Sequence, residues 1–245
     1  MRIHVLVTCE HGGNRLPSRY RGLIPRKTLE SHRGYDPGAL DLARDFAAAL
    51  QAPLYFGTLS RLLIELNRTL DHPQLFSKYA LRLPEKDREV LIRRMYLPYW
   101  KAIERHVASA LQRGRVVVHV SSHSFTPRMN GVRRDADVGL LFDPDRAEEV
   151  ALCRRWHRAL VEEAGRLRVR NNYPYVGTGN GLTTALREKF AGRAYVGVQI
   201  EVNQRFARAG GPRWRELRRT LTRSLLLALA GAAYRNRTGR ISLGS

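Results

Sequence analysis

The sequence predicts an α/β fold, a mostly parallel β-sheet with helices on both faces. Three observations predict it. Strand-like and helix-like hydrophobic patterns alternate along the 245 residues, as expected of βαβ connectivity. Three short apolar runs, Ile3-His4-Val5-Leu6-Val7, Val116-Val117-Val118-His119-Val120 and Val196-Gly197-Val198-Gln199-Ile200, have the length and β-branched content of buried strands. Each leads into residues able to do chemistry: Cys9-Glu10-His11-Gly12-Gly13-Asn14, Ser121-Ser122-His123-Ser124 and Glu201-Val202-Asn203. Open α/β sheets bind their ligands beyond the carboxyl ends of their strands.

The elements follow in order. Residues 3–8 form a strand, followed by a polar loop rich in Arg and Pro. Residues 37–50 form a helix: Asp36 can cap it, Pro37 suits its first turn, and Leu40, Ala43, Phe46, Ala47 and Leu50 share one face. Residues 54–58 and 62–66 read as short strands, together an antiparallel hairpin. Residues 85–111 carry a long helical pattern broken or kinked at Pro98, with Gly114 closing it. A strand over 116–120 is followed by one over 138–142, stopped by Asp143-Pro144. An amphipathic helix spans 147–167, a loop 171–181 and a short helix 183–188. The last strand covers 195–202 and the last helix 212–234, whose end is apolar enough to be core. There is no internal repeat, and the chain reads as one domain, 1–245.

Composition narrows the function classes. Apolar content of 43% and charged content of 27% are those of a globular chain. No run of 18 apolar residues predicts a membrane span. The start of the chain does not read as a signal peptide. Only Cys9 and Cys153 are present, which fits a reducing cytoplasm and excludes a disulfide framework or a cysteine-type zinc module. Walker, Rossmann and Gly-x-Ser-x-Gly motifs are absent. The net charge is +21. Of the 43 basic residues only Lys27, Lys78, Lys86, Lys101 and Lys189 are lysines, and the arginines are spread along the chain. Dispersed charge predicts non-specific, salt-sensitive adsorption to nucleic acid and attraction of anionic substrates, rather than a dedicated nucleic-acid interface.

Two histidines and a glutamate at strand ends are the layout of a metal-dependent hydrolase. Catalytic zinc takes three protein ligands and keeps one position open. His11 and His123 are two candidates. His119 stands four residues before His123, ~13 Å along a strand, and reads as a buried structural group. The carboxylate comes from among Glu10, Asp36, Asp135, Asp137 and Glu201. Glu201 ends a buried strand, where a carboxylate needs an Arg partner or a task such as general base. Asn67-Arg68 offers donors for a carboxylate, and the 171–181 loop, with its Asn, Gly and Tyr residues, reads as a cover for a substrate. Cys9 reads as a buried, inert thiol.

These residues resemble the N-formylglutamate amidohydrolase family. The matching stretches are Thr8 to Asn14, Tyr35-Asp36-Pro37-Gly38-Ala39, Leu66-Asn67-Arg68, Val120 to Pro127, Val138-Gly139-Leu140-Leu141, Asn172-Tyr173-Pro174-Tyr175 and Gln199-Ile200-Glu201-Val202-Asn203, in order over roughly residues 3–205. The family is similar in fold to zinc carboxypeptidases and aspartoacylases. The resemblance therefore implies a three-layer α/β/α sandwich around a mixed sheet. It implies metal ligation by His11, Asp36 and His123, Glu201 as catalytic base, and Asn67-Arg68 as the clamp for a substrate carboxylate or polarised carbonyl, with Arg68 expected to act in catalysis beside the metal by stabilising the oxyanion. It also brings Asn172 and Tyr175 into substrate binding. Zinc carboxypeptidases carry a Glu three residues after their first His, where this chain has Asn14.

The expected activity is hydrolysis of an amide bond in a small anionic N-acyl amino acid. The expected cofactor is one divalent metal, zinc by preference, with other first-row metals able to use the same donors. Two alternatives stay open: a zinc carboxypeptidase-like amidase acting on a peptide, and a basic nucleic-acid-associated protein without catalysis.

Overall fold

The computed structural model describes residues 2–231. Its centre is a six-stranded sheet in the order β2-β1-β3-β8-β6-β7. In chain order the elements are β1 (Ile3–Cys9), α1 (Arg26–Leu29), α2 (Ala39–Leu50), β2 (Leu54–Phe56), α3 (Glu85–Leu91), α4 (Leu97–Gln112), β3 (Val116–Phe125), β4 (Arg128–Met129), β5 (Val132–Arg133), β6 (Val138–Leu141), α5 (Ala147–Glu163), β7 (Val169–Asn171), α6 (Leu182–Lys189), β8 (Tyr195–Asn203), α7 (Gln204–Ala209) and α8 (Gly211–Ala230). β2, β1, β3 and β8 run parallel, while β6 lies antiparallel to β8 and carries β7 parallel to itself. The sheet is thus mixed and mostly parallel, flanked by helices, as expected.

Strand alternation sorts the core into two layers. Val118 and Val120 of β3 and Val7 of β1 pack with Leu42 and Phe46 of α2, Trp156 of α5 and Leu221 and Leu225 of α8. Val117 and Leu6 pack on the other side with Trp100, Ile103 and Val107 of α4 and Leu182 and Leu186 of α6. β1, β3 and β8 are parallel, so their carboxyl ends lie along one sheet edge. The register sets His123 directly beside Glu201 and Thr8 beside Ser121.

Several expectations are corrected. Residues 62–66 form no strand and β2 forms no hairpin; β2 pairs with β1 in parallel, Val7 opposite Leu54. Leu63 and Ile64 are buried in the α4 layer, and Trp100 Nε1 donates to Leu66 O at 2.9 Å. A short apolar run shows burial but not strand pairing. The long helix is interrupted before Pro98: a π-helical segment, Ile92–Tyr96, separates α3 from α4, and Pro98 falls in the first turn of α4, where its missing N–H costs least. Asp36 does not cap α2, whose N-cap is Gly38. The β4–β5 hairpin turns at Asn130 (φ 50°) and Gly131 (φ 81°). This Asn-Gly pair is the preferred two-residue hairpin turn, and sequence reading passed it over. α5 stops at Glu163, and α8 is described to Ala230. The end of the expected last helix, residues 232–234, and the basic 235–240 run lie outside the described residues.

Candidate metal and catalytic site

The chain leaves β1 at Cys9 and turns immediately. Gly13 permits that turn: a Cβ there would lie 2.5 Å from Thr58 O. Asp36 N donates to His11 O at 2.9 Å, which fastens the segment before α2 against this turn. Ser122 Oγ donates to Ala39 O and Ser124 Oγ to Pro37 O, both at 2.9 Å, tying the same segment to the end of β3. The side chains of His11, Asp36 and His123 therefore meet. Asp36 Oδ2 lies 3.2 Å from His11 Nδ1 and 2.9 Å from His123 Nδ1. The two rings are 5.0 Å apart between centroids, and one donor atom from each of the three residues lies within 4.8 Å of the others.

The far nitrogens of both rings are backed by carboxylates. His11 Nε2 pairs with Glu65 Oε1. His123 Nε2 lies 3.0 Å from Glu10 Oε2 and 2.9 Å from Ser121 Oγ. Glu10 also accepts from Ser121 Oγ at 2.8 Å and Tyr99 OH at 3.2 Å. A histidine whose Nε2–H is held by a carboxylate presents an unprotonated Nδ1 to a cation, the usual support of a metal-ligating imidazole. The donor set and its backing both fit a divalent metal. Glu10→Gln and Glu65→Gln are each expected to weaken metal affinity about 10- to 100-fold, read by competition with a chelating dye; unchanged affinity in both would remove this role from them.

Arg61 completes the cluster. Its Nη1 donates to Asp36 Oδ1 at 2.9 Å and its Nε to Glu65 Oε2 at 3.0 Å. The field that results is strongly polarised. Burial pushes the Asp36 carboxyl up, but Arg61 and both histidines outweigh it and hold it well below the usual range. Glu10 and Glu65 are likewise held low, against burial, by His123 and by His11 with Arg61 respectively. Burial lowers His123, yet its contacts with Asp36 and Glu10 raise it well above an ordinary imidazole.

Glu201 behaves oppositely. It is buried beside His123, no Arg pairs with it among the described residues, and its Oε2 has no hydrogen-bond partner. Burial, helped by the Asp36 charge, pushes it up to about 7 against the pull of His123 and Arg61. A desolvated carboxyl with a free oxygen beside a set of metal donors is suited to moving a proton near neutral pH. Gly139 of β6 makes room for it. A Cβ on Gly139 would lie 3.4 Å from Glu201 Cβ and 1.9 Å from Tyr173 O, so the loop after β7 can lie against the sheet only over a glycine.

The N-formylglutamate amidohydrolase family matches residues 3–207, a span that contains every residue of this cluster. The chain belongs to that family. It is accordingly a hydrolase of carbon–nitrogen amide bonds. Among solved structures, the gene product Atu2144 from Agrobacterium tumefaciens is 28% identical, with a TM-score of 0.80 over 94% of this chain and 92% of that one. N-formylglutamate amidohydrolase from Ralstonia eutropha JMP134 is 20% identical, with a TM-score of 0.72 over 93% of each chain, a likeness of fold. No curated protein matches the chain in sequence.

The family's expected substrate residues are placed as follows. Asn67 reaches the cluster: its Nδ2 is 3.4 Å from His123 Nε2, while its Oδ1 accepts from Leu182 N at 2.8 Å. Arg68 turns its Nη1 to the backbone carbonyls of Asn67 and Asn180, and so joins the 66–68 turn to the loop before α6. Asn172 Oδ1 accepts from Phe142 N at 3.0 Å and Gly177 N at 3.1 Å, which braces the loop from inside. Tyr175 is exposed on that loop, its hydroxyl held by Arg134 Nη1 at 3.0 Å. Asn14 Nδ2 donates to Leu29 O at 3.2 Å. Asp135 and Asp137 are bound up with Arg168, Arg170 and Arg205. His119 lies outside the cluster, between Thr8 Oγ1 at 2.8 Å and Tyr195 OH at 2.7 Å. Cys9 is buried and unpaired, and burial with the Glu10 and Asp36 charges pushes its thiol far up. Sequence reading missed Glu65 and Arg61. Their only signal was an Arg and a Glu four residues apart, the Arg just before and the Glu within a segment taken for a strand.

Proposed function

We propose that this amidohydrolase cleaves small anionic N-acyl amino acids with the help of one divalent metal, zinc by preference, held by His11, Asp36 and His123. The observation that carries the reading is the convergence of those three donors, each imidazole backed by its own carboxylate, beside an unpartnered Glu201. A divalent cation bound there supplies Lewis acidity, which makes water a better nucleophile and the acyl carbonyl a better electrophile.

The chain's own groups carry the rest. Glu201, ionised above about 7, takes the proton of the attacking water and returns it to the leaving amine nitrogen, so that the amide C–N bond breaks to a carboxylate and an amine. Arg61, anchored on Asp36 and Glu65, adds positive charge for the developing oxyanion. Asn67 Nδ2 offers a neutral donor on the same side as His123. The surplus of basic residues favours anionic over neutral substrates.

Elemental analysis of the purified protein, beside His11→Ala, is the test, joined to a hydrolysis assay on N-formyl-L-glutamate and related N-acyl amino acids. About one zinc per chain, as a mononuclear site requires, absent from the variant together with amide hydrolysis, is the expected result. A metal-free wild type that still hydrolyses these amides after chelation would overturn the metal assignment.

A further inference from the structure

Arg134 follows the β4–β5 hairpin and is fixed by its backbone N donating to Pro127 O at 2.9 Å. Its guanidinium lies over the Tyr175 ring at 4.9 Å and near the Phe125 ring at 6.0 Å. Nη1 donates to Tyr175 OH, and Nη2 meets only the Met129 sulfur at 2.7 Å, a weak acceptor. Several arginines near the cluster are tied down: Arg61 to Asp36 and Glu65, Arg68 to backbone carbonyls, Arg168, Arg170 and Arg205 to Asp135 and Asp137. Arg134 has no carboxylate partner among the described residues, although it is half-buried and held in place by two aromatic rings.

That guanidinium lies against residues of the elements that carry the catalytic cluster. Phe125 is two residues beyond His123 on β3 and so on its face of the sheet. Tyr175, whose hydroxyl Arg134 holds, belongs to the loop whose Tyr173 O packs on Gly139, the β6 residue paired with Glu201. Tyr175 is 43% and Met129 41% exposed, so a ligand can reach both.

We propose that Arg134 reads a free carboxylate of the substrate, with Met129 and Tyr175 as apolar flanks of the same subsite. This rests on the amidohydrolase reading for its substrate class and differs from it in assigning carboxylate recognition to the hairpin rather than to Arg68. A guanidinium whose acceptors are a neutral phenol and a thioether exchanges them favourably for two charge-assisted bonds to a carboxylate. Stacking on the rings means that little conformational freedom is lost when it does so.

The test compares N-formyl-L-leucine with N-formyl-L-leucinamide, which differ only in that carboxylate. The metal-loaded wild type is expected to prefer the acid about 10- to 100-fold in kcat/KM, and Arg134→Gln to bring the two within about twofold. Arg134→Lys should keep part of the preference, because it retains charge without the planar fork. Equilibrium binding of both probes to Glu201→Gln, with and without Arg134→Gln, separates the two readings. A binding preference that follows Arg134, while the metal-loaded wild type hydrolyses neither probe, supports the carboxylate subsite and sinks the hydrolase substrate assignment. A wild type that binds the acid no better than the amide overturns the proposal. So does a preference that survives Arg134→Gln and is lost in Arg68→Gln.

Discussion

Glu201→Gln is expected to lower kcat for amide hydrolysis by about 10²- to 10⁴-fold, the range of a lost general acid–base group. Metal content should be unchanged, since Glu201 is not among the three converging donors. Gln is close to the shape of Glu but accepts no proton. In the wild type the rate should rise with pH through an acidic limb at or below about 7, where Glu201 ionises, and a bound cation moves that limb down. The limb should vanish in the variant. Stability should move the other way. The folded state raises the Glu201 pKa above its unfolded value near 4.3, so the favourable contribution belongs to the protonated form. It is complete below the unfolded value and is lost as pH rises through about 7. Metal-free Glu201→Gln, which never ionises, should therefore be more stable than the metal-free wild type at pH 8, by on the order of 2–3 kcal/mol. Chemical denaturation at pH 5 and pH 8 would show it. An unchanged kcat together with an unchanged pH profile would remove Glu201 from the reaction.

His123→Ala is expected to abolish metal binding and to lower kcat/KM by at least about 10³-fold, the equivalent of several kcal/mol of lost transition-state stabilisation. It also leaves Glu10, at the bottom of the site, without its main counter-charge. The proton inventory is a more selective readout. In the metal-free protein Asp36 and Glu10 favour the protonated His123 ring against its burial, and a metal bound there competes with that proton. Metal uptake should release about one proton. Calorimetry in buffers of different ionisation enthalpy measures that number, and His123→Ala should show neither binding heat nor proton release. Full metal content and full activity in the variant would reject the site.

Both results depend on residues that sequence reading reached unevenly, and the reason is physical. His11, His123 and Glu201 were legible because each terminates a short apolar run, and parallel strands bring such ends to one edge. Glu201 next to His123 is a matter of register, which no strand pattern specifies across 78 positions. Asp36 was first read as a helix cap from its place before Pro37. A backbone bond to His11 and the arginine at position 61 turn its carboxylate inward instead. Glu65 was hidden inside a run mistaken for a strand and Arg61 directly before it, because burial of Leu63 and Ile64 gives the same apolar signal whether the chain pairs or turns. Glu10 was one of five open carboxylates. The alternation of β1 settles its direction, toward Ser121 and His123 rather than toward Cys9 and the opposite core.

The sequence by itself determined the layered α/β architecture, the sheet edge that carries the chemistry, the family, and the three residue types that meet there. Those follow from local hydrophobic period, strand ends and motifs read along the chain. The tertiary structure decided which carboxylate faces which imidazole, which arginines are tied into ion pairs, and that Glu201 Oε2 is left without a partner. Those are outcomes of packing between segments as far as 115 residues apart in the contacts of this site. Burial then converts them into chemistry, because the same carboxyl is pinned in its charged form beside Arg61 and pushed toward neutrality where nothing answers it.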